Sequence, residues 1–243
     1  PFGRFLIIKN MRAVITGATK GIGRAIVETF AKAGYDLAIC ARTQADLDTL
    51  QTELKTTYPN INLIMEAVDM SKKEAVKGFA ATIVSQWKQV DILINNAGVF
   101  KPGAVSEEEE GTLEFQIETN LYSAYYMTRG LLPAMLPHES GHIFNMCSIA
   151  SFMAYPNGGS YSVSKFAMLG FSKALREEMK TKGIKVTSIM PGATWSASWD
   201  GAPFPEDRLM KAEDIAHSVL SVAQMNKGAV VEEMVIRPQL GDL

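Results

Sequence analysis

The chain has 243 residues, with 24 Lys and Arg against 26 Asp and Glu for a formal charge of −2, and is 47% hydrophobic and 21% charged. At roughly 150 residues per domain this length fits one large α/β domain or two small ones, and such a chain buries roughly 70 to 75% of its unfolded surface without needing disulfides or structural metal. The near-zero charge balance argues against a nucleic-acid protein, and two cysteines, Cys40 and Cys147, are too few for a disulfide framework or a thiolate metal site.

Both cysteines sit in apolar runs and read as reduced core thiols, and no stretch reaches the ~18 consecutive apolar residues of a membrane span. The expectation is a cytoplasmic enzyme whose partners are small molecules, with no nucleic acid and no membrane. Pro1 to Asn10 precede Met11, which looks like a natural start, and read as an N-terminal extension or a leftover of expression. Residues 11–243 read as one domain.

From Met11 onward short apolar runs alternate with amphipathic segments, the pattern of a parallel sheet with crossover helices on both faces. The expected strands are Ala13 to Thr16, Asp36 to Cys40, Ile61 to Val68, Ile92 to Asn95, His142 to Ser148, Lys185 to Met190 and Val230 to Ile236. Thr43 with Asp46, and Ser71 with Glu74, have capping-box spacing. Glu107 to Glu110 read as the solvated start of a helix. From Ser160 to Lys182, Phe166, Leu169, Phe171, Ala174, Leu175 and Met179 recur largely at helical steps, and Gly183 ends the run. No linker or repeat interrupts the alternation, so the fold expected is α/β, a single-domain doubly wound parallel sheet of about seven strands with helices on both faces.

The first strand runs into Thr16, Gly17, Ala18, Thr19, Lys20, Gly21, Ile22 and Gly23, followed by an amphipathic helix. Glycines there let the chain turn sharply and bring backbone N–H groups against a pyrophosphate at a helix N-terminus. A site that prefers NAD carries an acid about 20 residues on, at the end of the second strand. Here that place reads Cys40, Ala41, Arg42. A guanidinium can grip a phosphate with two parallel bonds, and Lys20 adds charge on the same side, so NADP(H) is the preferred cofactor, with NAD(H) possible. The alternative for Arg42 is an ordinary solvated strand-end residue.

Ser148 ends the fifth strand, Tyr161 follows thirteen residues later and Lys165 four after that. On a helix, i and i+4 share a face about 6 Å apart along the axis, which brings the ammonium near the phenol. Moving a tyrosine from about 10 to about 7 takes roughly 4 kcal/mol of preference for phenolate, a sum that a neighbouring lysine and an oxidised nicotinamide could supply together.

With Asn95, Asn96, Ala97 and Gly98 after the fourth strand, Asn120 in the next helix, and Pro191 with Gly192 after the sixth strand, the chain resembles the short-chain dehydrogenase/reductase family over nearly its whole length. The resemblance implies a Rossmann-type sheet and NAD(P)-linked carbonyl or alcohol chemistry in a homodimer or homotetramer. It implies that Tyr161 protonates the carbonyl oxygen, Ser148 hydrogen-bonds it, Lys165 lowers the tyrosine pKa and holds the nicotinamide ribose, and Asn120 holds a water leading from Lys165 to solvent. By the same resemblance Asp69 accepts from the adenine amine, Asn96 and Gly98 lie by the adenosine ribose with Ala97 between them, Pro191, Gly192 and Thr194 touch the nicotinamide carboxamide, and Ser196 stands where a threonine is common. A reading of another class is an NADP-binding sensor that has lost turnover, against which the intact Asn120, Ser148, Tyr161 and Lys165 speak.

The His138, Glu139, Ser140, Gly141, His142 run fits the His-Glu-x-x-His zinc pattern, but Pro137 before it and Ser140 and Gly141 within it break a helix, so it reads as a loop and no metal is expected. Trp195, Trp199 and Phe204 are candidates for a lid over the substrate or for pinning their loop. The end of the chain, Val231 to Pro238, lacks the glycine pair of fatty-acid-synthesis ketoacyl reductases and is more similar to the 3-hydroxy acid dehydrogenase branch.

Overall fold

In β1 (Arg12–Thr16) and β2 (Asp36–Ala41) the interior residues are continuously apolar because both faces of the sheet are covered. Ala13, Ile15, Leu37 and Ile39 enter one hydrophobic layer, while Val14, Ala38 and Cys40 enter the other. The computed structural model describes residues 11–195 and 206–241. Among these, β3 (Leu63–Ala67), β4 (Ile92–Asn95), β5 (Gly141–Met146), β6 (Ile184–Pro191) and β7 (Glu233–Ile236) complete a seven-stranded parallel sheet in the order β3-β2-β1-β4-β5-β6-β7.

The first layer is built from α1 (Gly21–Lys32), α2 (Gln44–Thr57) and α7 (Ala212–Ala223), and the second from α3 (Lys73–Gln86), α5 (Ser123–Leu131) and α6 (Gly159–Met179). A short α4 (Thr112–Ile117) continues into a π-helical turn, Glu118–Tyr122, before α5. Strand order reverses between β1 and β4. In doubly wound sheets the crevice for ligands opens there, at the carboxyl ends of the strands.

Three local expectations are corrected. Thr43 precedes α2 but its side chain caps nothing. Ser71 does not cap α3; its hydroxyl donates to the Asp69 carboxylate at 2.8 Å, a charged acceptor that outcompetes the helix end, and the position before α3 belongs to Lys72. The acidic run Glu107 to Glu110 lies ahead of the helix, which begins only at Thr112 after Gly111 at φ 86°. Glu109 is drawn to Lys101 instead (2.9 Å), and Glu108 to Ser160. The long α6 ends as expected: Lys180–Lys182 tighten into a 3-10 turn and Gly183, at φ 71°, turns the chain into β6. His138 and His142 do not share a helix. His138 closes a 3-10 turn, whereas His142 is buried in β5, with Nε2 2.7 Å from the Thr187 hydroxyl.

Candidate active site

The turn after β1 is built for close approach of backbone. Gly17 has φ 65°, and a Cβ there would lie 2.8 Å from the Ala97 Cα; a Cβ on Gly23 would lie 2.1 Å from the Gly17 carbonyl oxygen. Thr16 fastens the turn to the end of β4, its hydroxyl accepting the N–H groups of Asn96 and Ala97, each at 3.0 Å. Asn96 returns the bond by donating to the carbonyls of Thr16 (2.9 Å) and Gly17 (3.0 Å). Its amide nitrogen is thus engaged in shaping the turn, while the residue lines the cleft. The N-terminus of α1, with Gly21, Ile22 and Gly23 in its first turn, has no side-chain cap and no acidic residue. The residues present therefore fit a pyrophosphate, with open N–H groups at the positive end of a helix dipole and no side chain in the way.

A cleft of about 330 Å³ follows the carboxyl ends of the central strands. Gly17, Thr19, Lys20, Arg42, Asp69, Asn96, Ala97 and Gly98 all line it, so the structure brings together expected residues drawn from four separate loops. Arg42 is exposed at the end of β2, with its charge close enough to act on Asp69. Partial burial pushes the Asp69 carboxyl up, but the Ser71 N–H and hydroxyl, with Lys72 and Arg42, outweigh it and hold the pKa below its ordinary value. Lys20 is exposed, and its ammonium lies 3.3 Å from Asp46, which also lines the cleft. Phe115 and Thr119 also line the cleft, and the sequence reading missed them.

At the next strand end Ser148 opens a short 3-10 turn. Its hydroxyl accepts the Ala150 N–H (3.1 Å), and its own N–H donates to Ser151 Oγ (3.1 Å). Tyr161 and Lys165 lie one turn apart on α6, with Lys165 Nζ 5.7 Å from the centre of the tyrosine ring. The ammonium is buried and donates to the Met146 carbonyl at 2.8 Å. Burial pushes the Tyr161 phenol up from its ordinary value, while a hydrogen bond from Ser148 acts the other way. Burial likewise holds the Lys165 ammonium below its ordinary value. The lowering of the phenol pKa expected from Lys165 is thus not the balance in this structure.

Asn120 sits in the π-helical turn, a local widening that often accompanies functional positions. Its carboxamide accepts the Val99 N–H (2.7 Å) and donates to the Val99 carbonyl (3.0 Å) and to Ser164 Oγ (2.8 Å). It therefore ties α6 to the loop after β4. A Cβ on Gly98 would meet Asn120 Oδ1 at 3.2 Å and Lys165 Nζ at 3.7 Å, so a glycine at this point of the cleft lining leaves room beside the buried ammonium. After β6, the Gly192 N–H is held by the Ile236 carbonyl (2.8 Å), and the buried Thr194 donates to the Gly192 carbonyl (3.0 Å), fixing the segment that begins at Pro191. Ser196, Trp199 and Phe204 lie outside the described residues. Both cysteines are free and buried. No described helix is long and apolar enough to cross a membrane.

A family model described as short chain dehydrogenase matches residues 11–202. Among curated proteins, sepiapterin reductase of Chlorobaculum tepidum is 33% identical over 238 residues, covering 95% of this chain and 97% of the relative. The NADP-dependent 3-hydroxy acid dehydrogenase YdfG of Escherichia coli is 32% identical over 200 residues, covering 81% and 78%. Among solved structures, an alcohol dehydrogenase of Thermococcus sibiricus complexed with 5-hydroxy-NADP superposes with a TM-score of 0.88 at 26% identity, covering 96% of this chain and 99% of the other. L-sorbose reductase of Gluconobacter frateurii, complexed with NADPH and L-sorbose, gives 0.86 at 26% identity, covering 95% and 96%.

Proposed function

The chain belongs to the short-chain dehydrogenase/reductase family, an oxidoreductase family, and from that premise we propose that it is an NADPH-dependent reductase of ketones or aldehydes, reversible as an alcohol dehydrogenase. The observation that carries this reading is the convergence of the Ser148 hydroxyl, the Tyr161 phenol and the Lys165 ammonium, with Lys165 next to Gly98 in the cleft lining. The NADP-bound relatives and the absence of an acid at the end of β2 support the choice of cofactor.

NADPH would be held by the turn from Gly17 to Gly23 and the open N-terminus of α1, with Arg42 on its 2′-phosphate, Asp69 towards the adenine and Pro191 to Thr194 by the carboxamide. When bound it supplies the hydride for the carbonyl carbon. Tyr161 carries the proton at Oη and releases it to the substrate oxygen, while Ser148 donates a hydrogen bond to that oxygen and holds it in line. Lys165 keeps a positive charge beside the phenol as the phenol loses its proton. Asn120, through Val99 and Ser164, keeps α6 and the loop after β4 in register, so the acid stays at the cleft. The reduced thiols of Cys40 and Cys147 suit a cytoplasmic setting. The half-exposed Tyr122, Val163 and Phe166 suit a homo-oligomer, which light scattering at micromolar concentration tests.

The central test is Tyr161→Phe. Carbonyl-dependent NADPH oxidation disappears while NADPH binding, measured by fluorescence titration, stays within about threefold. Substantial turnover in that variant would remove Tyr161 from the chemistry.

A further inference from the structure

Two side chains of the segment from α4 through the π-helical turn treat the loop after β4 as if it were a strand. Asn120 bonds both the N–H and the carbonyl of Val99, and Gln116, fully buried, does the same for Lys101, accepting its N–H at 3.2 Å and donating to its carbonyl at 3.3 Å. In a sheet, residues i and i+2 offer both backbone groups to one neighbour while the residue between them points the other way. Two strand residues span about 6.6 Å and four helical residues about 6 Å, so carboxamides at 116 and 120 match that repeat.

The residue between is Phe100. Its ring meets Tyr161 edge to face, with centroids 4.8 Å apart and planes at 74°, and 53% of its surface remains exposed. The neighbouring Lys101 ammonium is drawn off to Glu109 (2.9 Å) and the Thr112 hydroxyl (3.3 Å), which keeps its charge engaged elsewhere. A half-open aromatic ring, fixed through its backbone on both sides and seated on the phenol that protonates the substrate, forms a wall for whatever the substrate carries next to its carbonyl. Such a wall offers a hydroxylated chain no hydrogen bond, whereas a flat ring can stack on it or meet it edge-on.

We infer that Phe100 is a specificity-determining residue, that Gln116 is its positioning residue, and that the two select carbonyl substrates bearing a flat, apolar ring beside the carbonyl. The inference rests on the reductase reading above. The test uses NADPH with acetophenone and cyclohexyl methyl ketone, which share a methyl ketone on a six-membered carbon ring but differ in flatness and aromaticity.

The unaltered protein favours acetophenone in kcat/KM, and Phe100→Leu lowers the ratio of the two kcat/KM values by about tenfold. Gln116→Met, of similar length but without the carboxamide, lowers the same ratio several-fold with NADPH affinity retained. A merely structural loosening would depress both ketones together and leave the ratio in place. A ratio that stays within about twofold in Phe100→Leu, or a preference of the unaltered protein for the cyclohexyl ketone, overturns the inference and leaves the reductase reading standing. If the unaltered protein oxidises NADPH with neither ketone nor with small aldehydes, the reductase reading falls and takes the inference with it.

Discussion

His142 gives the folded state a built-in sensitivity to acid whose size follows from its surroundings. The imidazole is buried in β5 and stacked on Phe144 with ring centroids 3.9 Å apart. The Thr187 hydroxyl donates to the Val231 carbonyl (2.6 Å), so at its other contact it accepts from Nε2–H of His142 (2.7 Å). That fixes the neutral ring with the proton on Nε2. Nδ1 is buried with no hydrogen-bond partner among the described residues, so a second proton there would have no acceptor. Burial, with the charge of Lys185 adding to it, pushes the pKa from 6.5 down to about 3. Because the folded value is depressed, the unfolded chain binds the extra proton first as pH falls. Stability is at its full value above about pH 6.5, is lost between there and about pH 3, and is lost no further below.

At about 1.4 kcal/mol per unit the whole span is worth about 5 kcal/mol, of which about 3 kcal/mol has gone by pH 4.5. Urea unfolding of the parent and of His142→Gln, each at pH 7 and pH 4.5, isolates this contribution, since the carboxylates that also titrate are common to both. The loss on acidification should be about 3 kcal/mol smaller in the variant. Equal losses in the two proteins would refute the reasoning.

Other outcomes follow from the site. Arg42→Ala weakens NADPH binding by about 10- to 100-fold, the worth of a charge-assisted bond to phosphate, and leaves NADH affinity near its parent value; equal weakening of both by titration would assign Arg42 a structural part. Glu108 accepts the Ser160 N–H at 2.8 Å and also bonds the Ser160 hydroxyl, one residue before Tyr161, with Gly159 at φ 30° letting the loop come close. Glu108→Ala should therefore lower kcat several-fold with NADPH affinity retained, and steady-state kinetics showing only a change in KM for the cofactor would contradict it. With the Tyr161 phenol pushed up by burial, reductive kcat should stay level from about pH 6 to about pH 9, while alcohol oxidation, which needs the phenolate, climbs with pH. A reductive limb falling away near pH 7 is the contrary result.

What could be read from the sequence was local or periodic. All seven strands were legible as apolar runs, most cleanly the central ones, where cover on both faces leaves no polar alternation; the part-exposed edge strands β3 and β7 are shorter than the expected runs Ile61 to Val68 and Val230 to Ile236. The glycine turn and the Tyr161 to Lys165 step were legible for the same reason: a backbone that must approach another backbone excludes side chains, and four helical residues fix a face. The polar contacts between distant loops were not legible. Ser71 looked like a cap until Asp69 offered a charged acceptor, Lys20 looked free until Asp46 met it, and Glu108 looked like a helix start until the fold brought it to Ser160. Gln116 carries no signal of its own, since its role exists only once Lys101 lies alongside it.

The same division runs through the proposed proton donor. Spacing correctly puts an ammonium near a phenol, but the sign of the pKa shift depends on what else is buried with them. Lys165 commits a hydrogen bond to the Met146 carbonyl and is weakened as a cation by its own burial, while that burial also favours the protonated phenol more than Ser148 opposes it. A protonated phenol is the form that the proposed carbonyl reduction consumes, so the chain's own groups favour the proposed acid role. Bringing a phenol from its ordinary value about three units down towards neutrality, as alcohol oxidation requires, takes about 4 kcal/mol, and the upward push of burial on Tyr161 adds to that. The chain does not supply that energy through Lys165 alone. The requirement falls on positive charge arriving beside Gly98, where the absence of a side chain leaves room next to the buried lysine.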